Sequence, residues 1–250
     1  MTENFGILPS GETATLYTIT NGHITASVTD YGATLVRLFG NTIIQVTYEL
    51  DYEGSLHIQY DAVCDRDTVF NMTNHSYFNL AGHEKTNKAM EQILILPGRF
   101  FFPDDAENIP TGELRKVDGT PMDFRSPKPI ARDIELDYEP LHLQAGYDHN
   151  WEVFCNPCAI LEDPVSGRSM AVHTDCPGIQ VYTGNFLNES GKNGIYYGKR
   201  SGVALETSTN PTHCTIPNGS SLLQKPANII RAKQYSGLPS NHIPVSKGSC

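Results

Sequence analysis

The segment Asn74-His75-Ser76-Tyr77-Phe78-Asn79-Leu80 gathers an imidazole, a phenol, a hydroxyl and two amides at the end of a β-like run. An extended backbone alternates its side chains, so His75, Tyr77 and Asn79 are expected on one face. Such a face suits a polyhydroxylated ligand. A histidine in a strand, taken alone, is more often structural. Gly146-Tyr147-Asp148-His149-Asn150-Trp151 is a second polar and aromatic cluster, just ahead of a strand. Asp148 can accept hydrogen bonds from sugar hydroxyls, and a ring can lie against a sugar's apolar face. The plainer alternative is a turn in which Asp148 and Asn150 bond their own backbone. Gly202-Val203-Ala204-Leu205-Glu206-Thr207 sets one carboxylate among apolar neighbours. Half-burial raises the proton affinity of such a group, which suits a general base near neutral pH. An outward-facing strand glutamate is the alternative. Cys155-Asn156-Pro157-Cys158 has the C-x-x-C spacing. It lacks the second ligand pair of a zinc site and the βαβ setting of a redox motif, so neither role is assigned to it.

The elements that must hold these residues have a period of two. Ile44, Val46, Tyr48 and Leu50 alternate with polar neighbours, and Leu56, Ile58, Tyr60 and Ala62 do so again after Asp51-Tyr52-Glu53-Gly54. This reads as an antiparallel hairpin of half-buried strands. Asn21-Gly22 marks an earlier hairpin, with Ile24, Ala26 and Val28 on one face of its second strand. A third runs over Trp151 to Leu161 and Ser169 to His173, across Pro164-Val165-Ser166-Gly167. Pro103 to Pro129 holds five prolines and is expected to wrap the surface as a loop. No amphipathic helical pattern of useful length is present. Sixteen Pro and 21 Gly between short strands suit a large all-β antiparallel sandwich.

At 250 residues, with 39% hydrophobic and 18% charged, the chain can build a packed core. Its net charge of −10 disfavours nucleic acid or an anionic membrane as the main partner. No apolar run approaches the roughly 18 residues that span a bilayer, and the first residues carry no signal-peptide pattern. Six cysteines in such a chain are expected to be thiols, and a cytoplasmic protein is the default.

Taken together and in this order, the motifs resemble the aldose 1-epimerase (galactose mutarotase) family. The resemblance rests on Asn74 to Gly82, on Ile109-Pro110-Thr111-Gly112 with Thr120 to Arg125, and on Gly146 to Asn150. Pro177 to Leu187 and Leu205-Glu206-Thr207 complete it. By eye it covers roughly residues 5–39 and 43–207. It implies a mutarotase-like supersandwich and interconversion of the α- and β-anomers of aldohexoses such as galactose and glucose. The route passes through the open-chain aldehyde, with no metal or organic cofactor. It also implies Glu206 as the base at the anomeric hydroxyl and His75 as the acid at the ring oxygen. Asp148 and Gln180 would hold sugar hydroxyls, and Ser76 and Tyr77 would line the pocket.

Two departures stand out. The family carries an Arg-x-x-Asn segment and a His-Gly-Gly segment between its N-terminal strands and the Ile44 hairpin. Here Arg37-Leu38-Phe39 runs almost directly into Asn41-Thr42-Ile43-Ile44, so the sandwich is expected to be incomplete, with edges and apolar surface exposed. Further, all 28 acids lie in residues 1–206 and none in 207–250, where strand alternation also fades. Synonymous codons for His213 to Gly219, read from the third base, spell Leu-His-His-Pro-Glu-Trp, which resembles the family's ending. Residues 1–206 therefore read as the mutarotase-like domain and 207–250 as an atypical tail, out of frame. Two other functions remain open: a non-catalytic carbohydrate-binding sandwich and, ranked last, an epimerase of hexose 6-phosphates using Lys199 and Arg200.

Overall fold

The computed structural model describes residues 2–7, 13–20, 25–29, 35–39, 42–64, 68–69, 71–208, 215–216 and 228–234. The chain divides into two compact units. One comprises residues 1–47, 59–70 and 215–225, the other 48–58, 71–214 and 226–250.

In the first unit, Thr2–Ile7, Thr13–Thr20, Thr25–Thr29 and Leu35–Phe39 form an antiparallel meander. Ala14 and Leu16 are buried between outward-facing Thr13 and Tyr17, as a strand with one covered face requires. Thr20 pairs with Thr25, which agrees with a hairpin around Asn21-Gly22. Residues 21–24 themselves, and the side chains of Ala26 and Val28, lie outside the described residues.

The second unit is built on two antiparallel sheets. One runs in the order Arg115–Lys116, Phe100–Phe102, Asp148–Glu152, Gly178–Tyr182, Val203–Ser208, Tyr77–Phe78. The other runs Lys128–Pro129, Ile93–Ile95, Ala159–Asp163, Arg168–His173, Asn228–Gln234, Ser55–Cys64, Thr42–Leu50, of whose last two strands residues 59–64 and 42–47 are counted in the first unit. Alternate residues of both sheets are buried, among them Phe101, Trp151, Ile179, Val181, Val203, Leu94, Leu161, Met170 and Val172. This is the expected all-β sandwich. Phe101 and Trp151 pack on His149, and Trp151 also meets Phe124 and Tyr147. The Trp151 Nε1 donates to the Met122 carbonyl at 3.1 Å, so its one polar atom is satisfied inside the core. Among the described residues no helix is long and apolar enough to cross a membrane.

Several expectations are corrected. Trp151 to Leu161 is not one strand. Asp148–Glu152 belongs to one sheet and Ala159–Asp163 to the other, with Cys155-Asn156-Pro157-Cys158 crossing between them. Pro157 has no N–H for a ladder, and alternation alone does not tell which sheet a strand joins. The second half of that hairpin stands: Asp163 pairs with Arg168, and its carboxylate accepts from the Ser166 N–H at 2.7 Å. The Pro103 to Pro129 segment does not merely wrap the surface. Its Val117, Met122 and Phe124 are core residues. Loops without a period hide such residues from a pattern search.

The hairpin of Thr42–Leu50 and Ser55–Cys64 forms as expected. At its turn the Asp51 carboxylate accepts from the Glu53 and Ser55 N–H groups and pairs with His57 at 2.9 Å. These contacts, His57 foremost, lower the Asp51 pKa to about 2. Burial of the two strands differs from the expectation. Ile58, Tyr60 and Ala62 are buried, but Tyr48 and Leu50 are 59% and 75% exposed, because Thr42–Leu50 is the outermost strand of its sheet. Within 207–250, Asn228–Gln234 is an inner strand, paired with Arg168–His173 and with Ser55 to Ile58.

Candidate functional site

The register of the first sheet assembles the site. Asn150, Gln180 and Glu206 are paired in one row across three strands. Asp148, Tyr182, Ala204 and Tyr77 form the next row. Paired residues share a face, and the two rows lie two residues apart, so all seven project to the same side. The intervening residues His149, Trp151, Ile179, Val181, Val203 and Leu205 point into the core and are buried. One face thus buys stability through apolar burial, while the other is free to carry polar chemistry.

On that polar face the Gln180 amide donates to Asp148 Oδ1 at 2.8 Å, and the Asn150 amide donates to Ser208 Oγ at 3.3 Å. His75 Nε2 lies 3.4 Å from Glu206 Oε1. The His75 side chain is 49% exposed and that of Glu206 only 12%, so the imidazole caps a carboxylate set deeper in the sheet. The His75 ring is 5.0 Å from Tyr77 and 5.8 Å from Tyr182, and the two tyrosines are 6.1 Å apart.

Electrostatics follows from this geometry. Burial raises the Glu206 pKa, the His75 charge opposes that rise, and Asp148 adds to it. Burial likewise raises Asp148, against the Gln180 hydrogen bond and His75. Tyr77 is pushed up to about 12 by burial and by Tyr182, Glu206 and Asp148, which keeps it a neutral donor. A carboxylate with enhanced proton affinity touching an imidazole is an acid–base pair.

The entry of the Asp148 strand is fixed from outside the site. The Tyr147 N–H donates to Thr183 Oγ1 at 3.1 Å, and the Asn185 amide donates to the Gln144 and Tyr147 carbonyls at 2.9 and 3.1 Å. Gly146 passes Asn185 so closely, at φ +146°, that a Cβ there would lie 2.3 Å from Asn185 Oδ1.

The structure therefore brings His75, Tyr77, Asp148, Gln180 and Glu206 together. Ser76 sits between His75 and Tyr77 in sequence; the contact it makes is from its N–H to Asn74 Oδ1, at 3.2 Å. The Asn79 amide donates to the Lys85 carbonyl at 2.9 Å and its Oδ1 accepts from the Ala81 N–H. Strand pairing in that segment is confined to Tyr77–Phe78, so alternation does not extend to Asn79. Asp148 and Asn150 lie in a ladder rather than a self-bonded turn. The rings of Tyr147 and Trp151 are fully buried, so the rings beside the site are Tyr77 and Tyr182 instead. His149 faces the core. Its Nδ1 accepts from the Asp148 N–H, and burial lowers its pKa to about 4. Arg200 pairs with Glu135 and donates to the Ala145 carbonyl. Sequence reasoning missed Tyr182 and Asn150. Both stand two residues from a named site residue, Gln180 and Asp148, and the strand period could have found them.

A family model for aldose 1-epimerase matches residues 39–235. The chain is 40% identical over 177 residues to an aldose 1-epimerase of Haemophilus influenzae, covering 69% of this chain and 51% of that protein. It is 39% identical over 196 residues to a galactose mutarotase of Homo sapiens, covering 75% and 54% respectively. The chain thus spans about half the length of these curated relatives. Among solved structures, a galactose 1-epimerase from Lactobacillus acidophilus superposes with a TM-score of 0.66 at 18% identity, covering 93% of this chain and 98% of that one. An aldose epimerase homologue from C. elegans gives 0.68 at 22% identity, covering 88% and 68%. At such identities these two show a shared fold.

Proposed function

The chain belongs to the aldose 1-epimerase family, and from that premise we infer that it interconverts the α- and β-anomers of aldohexoses such as galactose and glucose. In this reading Glu206 takes the proton from the anomeric hydroxyl, and His75, as imidazolium, protonates the ring oxygen. The C1–O5 bond breaks and the open-chain aldehyde forms. The carbonyl turns over, and reclosure reverses both proton transfers. Asp148 and Gln180 hold sugar hydroxyls, with Ser76 and Tyr77 beside His75. No metal or organic cofactor is required by this chemistry.

The observation that carries the reading is the 3.4 Å approach of His75 Nε2 to Glu206 Oε1 on the polar face of the sheet. The two oxygens that exchange protons are bonded to the same carbon, so their acid and base must stand close together. The raised proton affinity of Glu206 supports its role as base. A cytoplasmic setting is part of the proposal and fits the buried thiols of Cys158 and Cys176.

The test is NMR exchange or polarimetry with fresh α-galactose and α-glucose. Wild type is expected to exceed the buffer-catalysed rate. Glu206→Gln and His75→Asn are each expected to lose about 10²–10⁴-fold. Folded wild-type protein with no rate above background would reject the catalytic reading. Saturable galactose binding without a rate would identify a carbohydrate-binding sandwich instead.

A further inference from the structure

The imidazole of His75 is half exposed, and among the described residues its one polar contact is Glu206, at 3.4 Å. That contact does not fix how the ring turns about its own bonds. Two other rings lie against it: Tyr77 at 5.0 Å, tilted by 54°, and Tyr182 at 5.8 Å, edge to face at 73°. Centroid separations of about 4.5–7 Å, with an edge turned to a face, are a favoured arrangement of aromatic pairs. Tyr182, Ala204 and Tyr77 follow one another in a row across three strands. The backbones of the two tyrosines are therefore about 9.6 Å apart, yet their ring centroids are 6.1 Å apart. Both rings lean inward over fully buried Ala204, whose methyl group leaves them room.

The two rings are not held alike. Tyr77 is exposed and borders a cavity of about 440 Å³ with Leu80, Leu187 and Tyr197. Among the described residues no hydrogen bond reaches its hydroxyl. The Tyr182 hydroxyl accepts from the Phe186 N–H at 3.1 Å. Phe186 belongs to a tight turn closed from the Leu187 N–H to the Gly184 carbonyl at 3.2 Å, and that carbonyl also accepts from the Arg200 N–H at 2.9 Å. Asn185, in the same turn, is bonded to Thr183, Gln144 and Tyr147. The Tyr182 ring is thus pinned at both ends, by its strand at Cα and by this turn at the hydroxyl.

We propose that Tyr182 is a positioning residue: its pinned ring holds the His75 imidazole so that Nε2 stays on the side of the site that Glu206 serves. The inference rests on the proposed role of His75 as the acid. Acid and base act on two oxygens bonded to one carbon, so an imidazole that swings out to solvent loses the geometry with its chemistry unchanged. A displacement of about 1 Å can cost about 10²-fold in rate. Tyr182 itself transfers no proton.

NMR and kinetics on wild type, Tyr182→Phe and Tyr182→Leu test this. Nuclear Overhauser contacts between the ring protons of His75 and Tyr77 are expected in wild type. Tyr182→Phe, which keeps the ring, is expected to retain them, and Tyr182→Leu to lose them. In the galactose exchange assay Tyr182→Leu is expected to lose about tenfold in kcat with KM within about twofold, while Tyr182→Phe keeps kcat within about threefold of wild type. Tyr182→Val is read the same way should the leucine variant fail to fold. Absence of the His75–Tyr77 contacts from wild type, or their retention in folded Tyr182→Leu, overturns the proposal. So does a loss confined to KM, which would make Tyr182 a ring on which the sugar stacks. Wild type without anomer exchange would reject the catalytic reading, and the Overhauser contacts would still judge whether Tyr182 places His75.

Discussion

Glu206 shows what an acid–base site asks of one side chain. Its carboxyl is mostly buried, with Leu205 and Thr207 on either side pointing into the core. The raised pKa has two consequences of opposite sign. A protonated Glu206 cannot act as base, so kcat/KM is expected to fall as pH drops through its pKa. That acid limb should lie above the range of an ordinary glutamate, about 4.3. For stability, a carboxyl with a raised folded pKa favours the fold below its unfolded value, and this is lost as pH rises through the folded value. Glu206→Gln is therefore expected to melt higher than wild type at pH 8, with the difference gone at pH 4. Scanning calorimetry at the two pH values checks it. A variant that melts lower at pH 8 would show that the His75 contact outweighs burial.

At the scale of the element, the site depends on where strands begin. Tyr147 and Asp148 are neighbours that face opposite ways, one into the core and one into the site, so a small displacement at the strand entry would misplace both. Gly146 sits at that entry in a backbone conformation that side chains rarely adopt. Gly146→Ala would press a methyl group on Asn185, whose amide holds the Gln144 and Tyr147 carbonyls. The variant is expected to lose about 1–3 kcal/mol by urea denaturation, together with galactose affinity. Unchanged stability would show that Asn185 can move aside freely.

Over the whole molecule, the exposed strand Thr42–Leu50 is the clearest liability. Among the described residues no strand pairs with its outer edge, next to exposed Val46, Tyr48 and Leu50. Leu50→Lys is expected to lower aggregation without lowering the melting temperature, since Leu50 is already solvated. Light scattering on heating, beside a melt followed by circular dichroism, measures both. A large drop in melting temperature would mean that Leu50 is covered in solution.

Period-two alternation with Gly and Pro placement is enough for the fold class, because local periodicity is written along the chain, and the motifs around His75, Asp148, Gln180 and Glu206 carry the resemblance to the family. Which residues share a face could be read wherever one strand holds them, as with Gln180 and Tyr182. The core rings of Tyr147 and Trp151, the core role of Phe124 and the exposure of Leu50 depend on which strand lies next to which and on what covers each face. Pairing between distant segments decides those, and single-chain periodicity carries no record of it. The 3.4 Å meeting of His75 with Glu206 exists only once the ladder closes.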